Sequence, residues 1–184
     1  SATRPTTDRP AEIVLPPFPV GELHLEPGFT LGHATISDRF SGSVSLSLGW
    51  APIAALPLFE LRAHGGLVWG LDPDLERNDA SGLYAGGLRL AVPVIVARES
   101  SWATRWSLWV DALFGHQVGF VPGAVVDAGA GIGWDFPRTS NAVQGGLGVG
   151  LRYRRGLEAA NAAYASTMLA AYARVTWGRF LARA

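Results

Sequence analysis

From Gly21 onward the chain alternates between a large apolar side chain and a small or polar one. Gly146-Leu147-Gly148-Val149-Gly150-Leu151-Arg152-Tyr153-Arg154 shows the rule, with Leu, Val and Tyr on one face and Gly and Arg on the other. A period of two is that of a β-strand, whose successive side chains point to opposite faces of the sheet. Eight segments carry it, at about 21–35, 42–51, 58–71, 82–97, 101–115, 120–135, 142–154 and 165–179. In the first, Leu23, Leu25, Phe29 and Leu31 oppose Glu22, His24, Glu26 and Thr30. The second sets Val44, Leu46, Leu48 and Trp50 against Ser43, Ser45 and Ser47. In the fourth, Val92, Val94 and Val96 continue the apolar face while Pro93 and Ile95 interrupt the polar one. The fifth puts Trp109 on the polar face beside Arg105, Ser107 and Asp111.

The eighth segment admits two readings. Leu169, Val175 and Trp177 alternate with Tyr172, Arg174 and Thr176, as in a strand. Leu157–Ala173 is also rich in alanine, the best helix former. A strand gives an even count and leaves no unpaired sheet edge. The intervening stretches, among them Ala51–Pro57, Asp72–Ser81, His116–Gly119, Phe136–Asn141 and Gly156–Tyr164, read as short connections. Short connections join sequential antiparallel neighbours. The expected fold is therefore all-β, an eight-stranded antiparallel up-and-down barrel over residues 20–184, with both ends of the chain at one rim. Residues 1–19, with Pro5, Pro10, Pro16, Pro17 and Pro19, read as a flexible Pro-rich N-terminal arm.

Alternation does not say which face is inward. A soluble lipocalin-like barrel places its apolar face inside; a transmembrane barrel places it outside. Three features favour the second. The polar face is made of Gly, Ala and Ser with isolated charges of both signs, which suits a bore that side chains only just fill. Trp50, Trp69, Trp102, Trp134 and Trp177 lie near segment ends on the apolar face, where interface aromatics belong. Mean hydropathy is +0.20, yet no run of about 20 apolar residues encodes a transmembrane helix. Closed barrels cross a bilayer without such a run.

Fifteen basic residues, all Arg, balance fifteen acidic ones, so nothing favours a nucleic-acid partner. The absence of cysteine excludes disulfides and thiolate zinc sites. On the polar face Glu22, His24, Glu26, Glu60, Arg62 and His64 gather in the first and third segments. Arg89, Arg105, Asp111, Asp127, Arg152, Arg154 and Arg174 follow in later ones. In a narrow bore these charges must pair, because a desolvated unpaired ion costs several kcal/mol. The expected outcome is a bore ionic network. A metal held by His24, Glu22, Glu26 and His64 lacks a recognisable ligand spacing, and a gated small pore is the other functional reading of the same charges. A lipid-modifying barrel enzyme would need a Ser–His–acid set; His33, Ser37 and Asp38 supply the residue types, in a stretch whose composition is that of a turn. Gly129–Gly133 and Gly145–Gly148 lack the helix and acidic residue of a dinucleotide fingerprint. No catalytic residue, cofactor or metal is assigned.

Eight short alternating strands, a glycine-rich inner face with Arg, Glu and Asp, and interface aromatics together resemble the OmpA-like eight-stranded outer-membrane barrels. The resemblance is architectural and covers residues 20–180. It implies a bacterial outer-membrane location, the lipid bilayer as partner, and a structural or anchoring role. Outer-membrane proteins need a signal peptide, so the chain reads as a mature form. Trp177 and Phe180 are followed by Leu181-Ala182-Arg183-Ala184, which leaves room for a C-terminal periplasmic domain or another envelope protein as a further partner.

Overall fold

In a computed structural model the chain forms eight strands and closes into a barrel in the order β1 to β8. The structure describes residues 23–34, 39–53, 58–71, 79–99, 102–119, 122–136, 143–159, 161–162 and 165–177. The strands are β1 (Leu23–Ala34), β2 (Arg39–Ile53), β3 (Leu58–Leu71), β4 (Asp79–Glu99), β5 (Trp102–Gly119), β6 (Gly123–Asp135), β7 (Val143–Gly156) and β8 (Ala165–Trp177). Every neighbouring pair is antiparallel, and β1 closes on β8 with Leu23 opposite Trp177. The rim holding these two residues is the lower one below; the opposite rim is the upper.

The alanine-rich eighth segment is a strand. Its backbone groups pair with β7 on one side and β1 on the other, and this closure outweighs the helical preference of alanine. Paired positions trace the stagger of the barrel. From Gly145 on β7 the row runs through Val175, Leu25, Leu48, Ala63, Gly86, Phe114 and Val126 to Arg155, ten residues farther along β7. That stagger gives the strands the usual steep tilt of about 35–45°.

Several strands run past the limits of the alternation. His116–Gly119, expected as a connection, is strand, because its ladder with β4 continues from Tyr84 opposite His116 to Ser81 opposite Gly119. Ala51–Ile53 and Asp79–Ser81 likewise belong to β2 and β4. A bulge separates Pro93 from Ile95 where β4 faces β5. Proline has no N–H to donate, so the ladder is interrupted there and one extra residue is absorbed. The alternation changes phase across it: Ile95 stands opposite Trp106 and Val96 opposite Arg105. Phe120 of the sixth segment lies outside the described residues.

The barrel has its apolar side outward. Phe114 is 63 % exposed and Leu169 68 %, whereas Glu60 and Arg89 on the inner side are at 0 % and 1 %. Among the described side chains of the strands, Glu26, Glu60, Asp111, Asp127 and Asp135 are all buried. Arg155, near the upper rim, is the exposed charge.

The upper rim between β7 and β8 is tied down locally. Asn161 is buried; its Nδ2 donates to the Ala124 carbonyl (3.0 Å) and its Oδ1 accepts from the Glu158 N–H (2.9 Å). Glu158 Oε1 accepts from the Ala124 N–H at 2.8 Å. Asn161→Ala leaves the Glu158 N–H without its acceptor and the Ala124 carbonyl with the Leu157 N–H alone. It should lower stability by about 1–2 kcal/mol, read as a shifted urea midpoint.

Candidate functional site

The inner face follows from parity. Every second residue of a strand points inward, so Gly129, Gly131 and Gly133 share their side of β6 with Asp127 and Asp135. On β7 the same rule aligns Gly146, Gly148 and Gly150 with Arg152 and Arg154.

The charges form a ladder of alternating sign up the bore. At the lower end Arg105 Nε donates to Asp135 at 2.8 Å, and Asp135 lies 3.8 Å from Arg174. Arg174 Nε donates to Glu26 at 2.7 Å. Glu26 is the hub, accepting also from Arg62 and, at 3.0 Å, from Arg89. Arg89 reaches on to Asp111 (3.0 Å), and Asp111 accepts from Arg152 at 3.2 Å. Arg152 and Arg154 both donate to Asp127 at 2.7 Å. Glu60 is held at longer range by Arg62 (3.6 Å), His24 (3.7 Å) and Arg174 (3.9 Å). Each buried ion thus faces a counter-ion, the condition for keeping charge out of water.

Two aromatic rings cross the same bore. The Arg89 guanidinium lies 4.4 Å from the Trp109 ring centre and 5.2 Å from that of Tyr172, with the two rings edge to face at 5.9 Å. The glycines of β6 and β7 make room for them. A Cβ at Gly131 or Gly150 would stand 2.6 or 2.7 Å from the Trp109 indole, and one at Gly148 would stand 2.0 Å from Tyr172 Cζ. The open space left among Glu26, Thr30, Ser43, Arg62, Arg152 and Tyr172 is about 30 Å³, room for one or two waters.

Two features depart from the sequence reading. The bore is not polar throughout: Val68, Leu83 and Val125 form a buried apolar cluster toward the upper rim, with Leu113 and Met168 also fully buried. Val125-Val126 signals this, since adjacent residues cannot both point outward. Asp135 also joins the bore charges, while Trp109, Tyr172 and Thr176 enter the site from the polar face on which the alternation places them. The parity of the β6 glycines places Asp135 inward, so the signal was in the sequence.

His24 and His64 do not converge. His24 Nδ1 shares a hydrogen bond with Thr176 Oγ1 and His64 Nδ1 one with Ser47 Oγ, each at 2.8 Å. Among the described residues no group of three potential ligands gathers for a metal ion. Glu22 and Ser37 lie outside the described residues, and so do the side chains of Trp102 and Trp177. His33 is exposed near the upper end of β1. Trp50 and Trp134 lie toward the lower rim and Trp69 toward the upper. Trp134 stacks on Trp106 at 5.2 Å and meets Phe136 edge-on at 4.9 Å.

No family model and no curated protein matches the chain. A solved structure to which it is similar is that of Neisserial surface protein A, at 10 % identity and a TM-score of 0.49, covering 86 % of this chain and 96 % of the other.

The arrangement supplies cohesion. Since the apolar side chains face outward, the strands are held from within by paired ions and by rings seated on glycine. One hydroxyl does stand beside a histidine–carboxylate pair: Thr176 Oγ1 shares a 2.8 Å hydrogen bond with His24 Nδ1, and His24 Nε2 lies 3.7 Å from Glu60, with all three side chains buried.

Proposed function

We propose that this chain is a transmembrane barrel of a bacterial outer membrane, a structural or anchoring module with a sealed bore and no catalytic role. The observation that carries the reading is the outer wall. Along β5 the outward residues Trp106, Leu108, Val110, Ala112 and Phe114 run unbroken to His116. Those ten steps rise about 25 Å along the axis at a tilt of about 40°, the height of the apolar band of outer-membrane barrels. A soluble barrel would expose that wall to water, a patch far larger than monomeric proteins tolerate. The eight-strand architecture and glycine-lined inner face support kinship with OmpA-like barrels. The continuous ladder and the small internal space support a bore that does not conduct. Anchoring of a periplasmic domain or envelope partner is the role such a filled module suits.

The test is to fold the chain into phosphatidylcholine vesicles. It should float with them, migrate differently on gels before and after boiling, and leave a trapped ion gradient intact. A chain that stays monomeric in detergent-free buffer and ignores vesicles overturns the membrane reading; a steady ion leak overturns the sealed bore.

A further inference from the structure

The outer wall is not evenly filled. Two neighbouring outward rows, Leu48–Ala63–Gly86–Phe114 and Leu46–Gly65–Tyr84–His116, cross β2 to β5. Ala63, Gly86 and Gly65 are small, and Leu46, Leu48, Tyr84, Phe114 and His116 around them are large. The result is an apolar groove of about 740 Å³, floored by Ala63, Gly65 and Gly86. At its upper end the Tyr84 and His116 rings lie 5.9 Å apart.

Gly65 and Gly86 have no packing reason to be glycine. A Cβ at Gly65 would find the Leu83 carbonyl at 3.9 Å, and one at Gly86 the Arg62 carbonyl at 3.6 Å, both ordinary contacts. Neither is among the positive-φ glycines of the described residues, Gly119 and Gly123. Glycine within a strand weakens it and often marks a close approach by something else. The inner glycines are occupied by Trp109 and Tyr172; these two hold open a space on the outside. That space is within the size range of small-molecule sites.

We infer that the groove is a site for one acyl chain of a bilayer lipid, its polar end toward Tyr84 and His116. The inference rests on the membrane reading above, because the groove is continuous with the apolar band and is covered by whatever covers that band. Around a barrel in a bilayer, that is hydrocarbon. Leu48 and Phe114 flank the chain laterally. Tyr84 and His116 stand near the upper limit of the band, the level at which a lipid's ester and headgroup begin. A seated chain fills a recess that mobile tails would have to fill afresh at each exchange, so this lipid outlasts its neighbours on extraction.

The test uses the full chain folded into vesicles of phosphatidylethanolamine and phosphatidylglycerol, extracted into a mild detergent and weighed by native mass spectrometry. The wild-type barrel should carry one phospholipid. Gly65→Leu and Gly86→Leu, each filling the recess, should cut the lipid-bound fraction about tenfold, the worth of roughly two methylenes of lost burial. Ala130→Leu adds three carbons of apolar bulk elsewhere on the wall and should bind as wild type. Boiling-dependent gel migration establishes that each variant is folded, and Ala63→Leu replaces either one that is not. A wild-type barrel without lipid, or equal retention in the filled variants, overturns the site. A dimer mass lost in Gly86→Leu also overturns it, in favour of a second copy of the chain. If the barrel floats with vesicles while groove variants change nothing, the acyl site alone fails; if it does not float, the membrane reading fails with it.

Discussion

Glu26→Gln should be the most damaging conservative substitution in the barrel, costing about 3–5 kcal/mol. The amide keeps the size of the side chain and removes its charge. Arg62, Arg89 and Arg174 all converge on that carboxylate, from β3, β4 and β8. Asp111 still serves Arg89 at 3.0 Å. Arg62 and Arg174 are left with Glu60, at 3.6 and 3.9 Å, and Arg174 also with Asp135 at 3.8 Å. None of those is a direct hydrogen bond of normal length. The measurement is the urea midpoint for loss of the heat-modifiable form. Glu26→Leu combined with Glu60→Leu, Arg62→Met and Arg174→Met removes two charges of each sign and leaves Arg89 with Asp111 and Asp135 with Arg105. It should recover much of the loss, since an apolar replacement of a whole buried ionic cluster is commonly neutral. A Glu26→Gln midpoint equal to wild type would mean that the ladder contributes no cohesion.

Gly148→Ala is the second. A Cβ there would lie 2.0, 2.3 and 2.4 Å from Cζ, Oη and Cε1 of Tyr172, so its three nearest neighbours all belong to one phenol ring. The ring is itself fixed among Trp109, Arg89 and Arg174. Forcing it aside should cost about 1–3 kcal/mol as overpacking. Tyr172→Ala alone should cost about 3–5 kcal/mol through the cavity it opens. The double variant should be no worse than Tyr172→Ala, because the added methyl then meets empty space. A coupling of at least about 1 kcal/mol in this cycle is the expected result. Additive losses would mean that the glycine is required by the backbone rather than by the ring.

The strands and the residues that share a face were legible because parity is a local property, written in each pair of neighbours; which face is inward came from the small and charged residues on one of them. Val44, Leu46 and Leu48 point outward and Ser43 and Ser47 inward on sequence grounds alone. What parity does not carry is which strand supplies the partner across the bore. Glu26 and Arg174 lie 148 residues apart and meet only through closure of the barrel. Trp109 could be assigned to the inner face, but that it would lie over Gly131 and Gly150 depends on the stagger between strands. The apolar cluster of Val68, Leu83 and Val125 escaped the reading because its members come singly from three strands. The bulge after Pro93 left a trace, an interrupted face, without revealing the change of phase beyond it.

Closure of β1 on β8 also sets when this protein becomes itself. Thr176 and Arg174, which hold His24 and Glu26 of the opening strand, lie in the last strand. No shorter stretch from the N-terminal side contains the seam, so the arginine-rich interior stays open to water until the eighth strand arrives. Contacts of such long sequence separation make folding slow. Until that seam forms, the chain is an eight-strand ribbon in the making, with two raw edges and a wet interior.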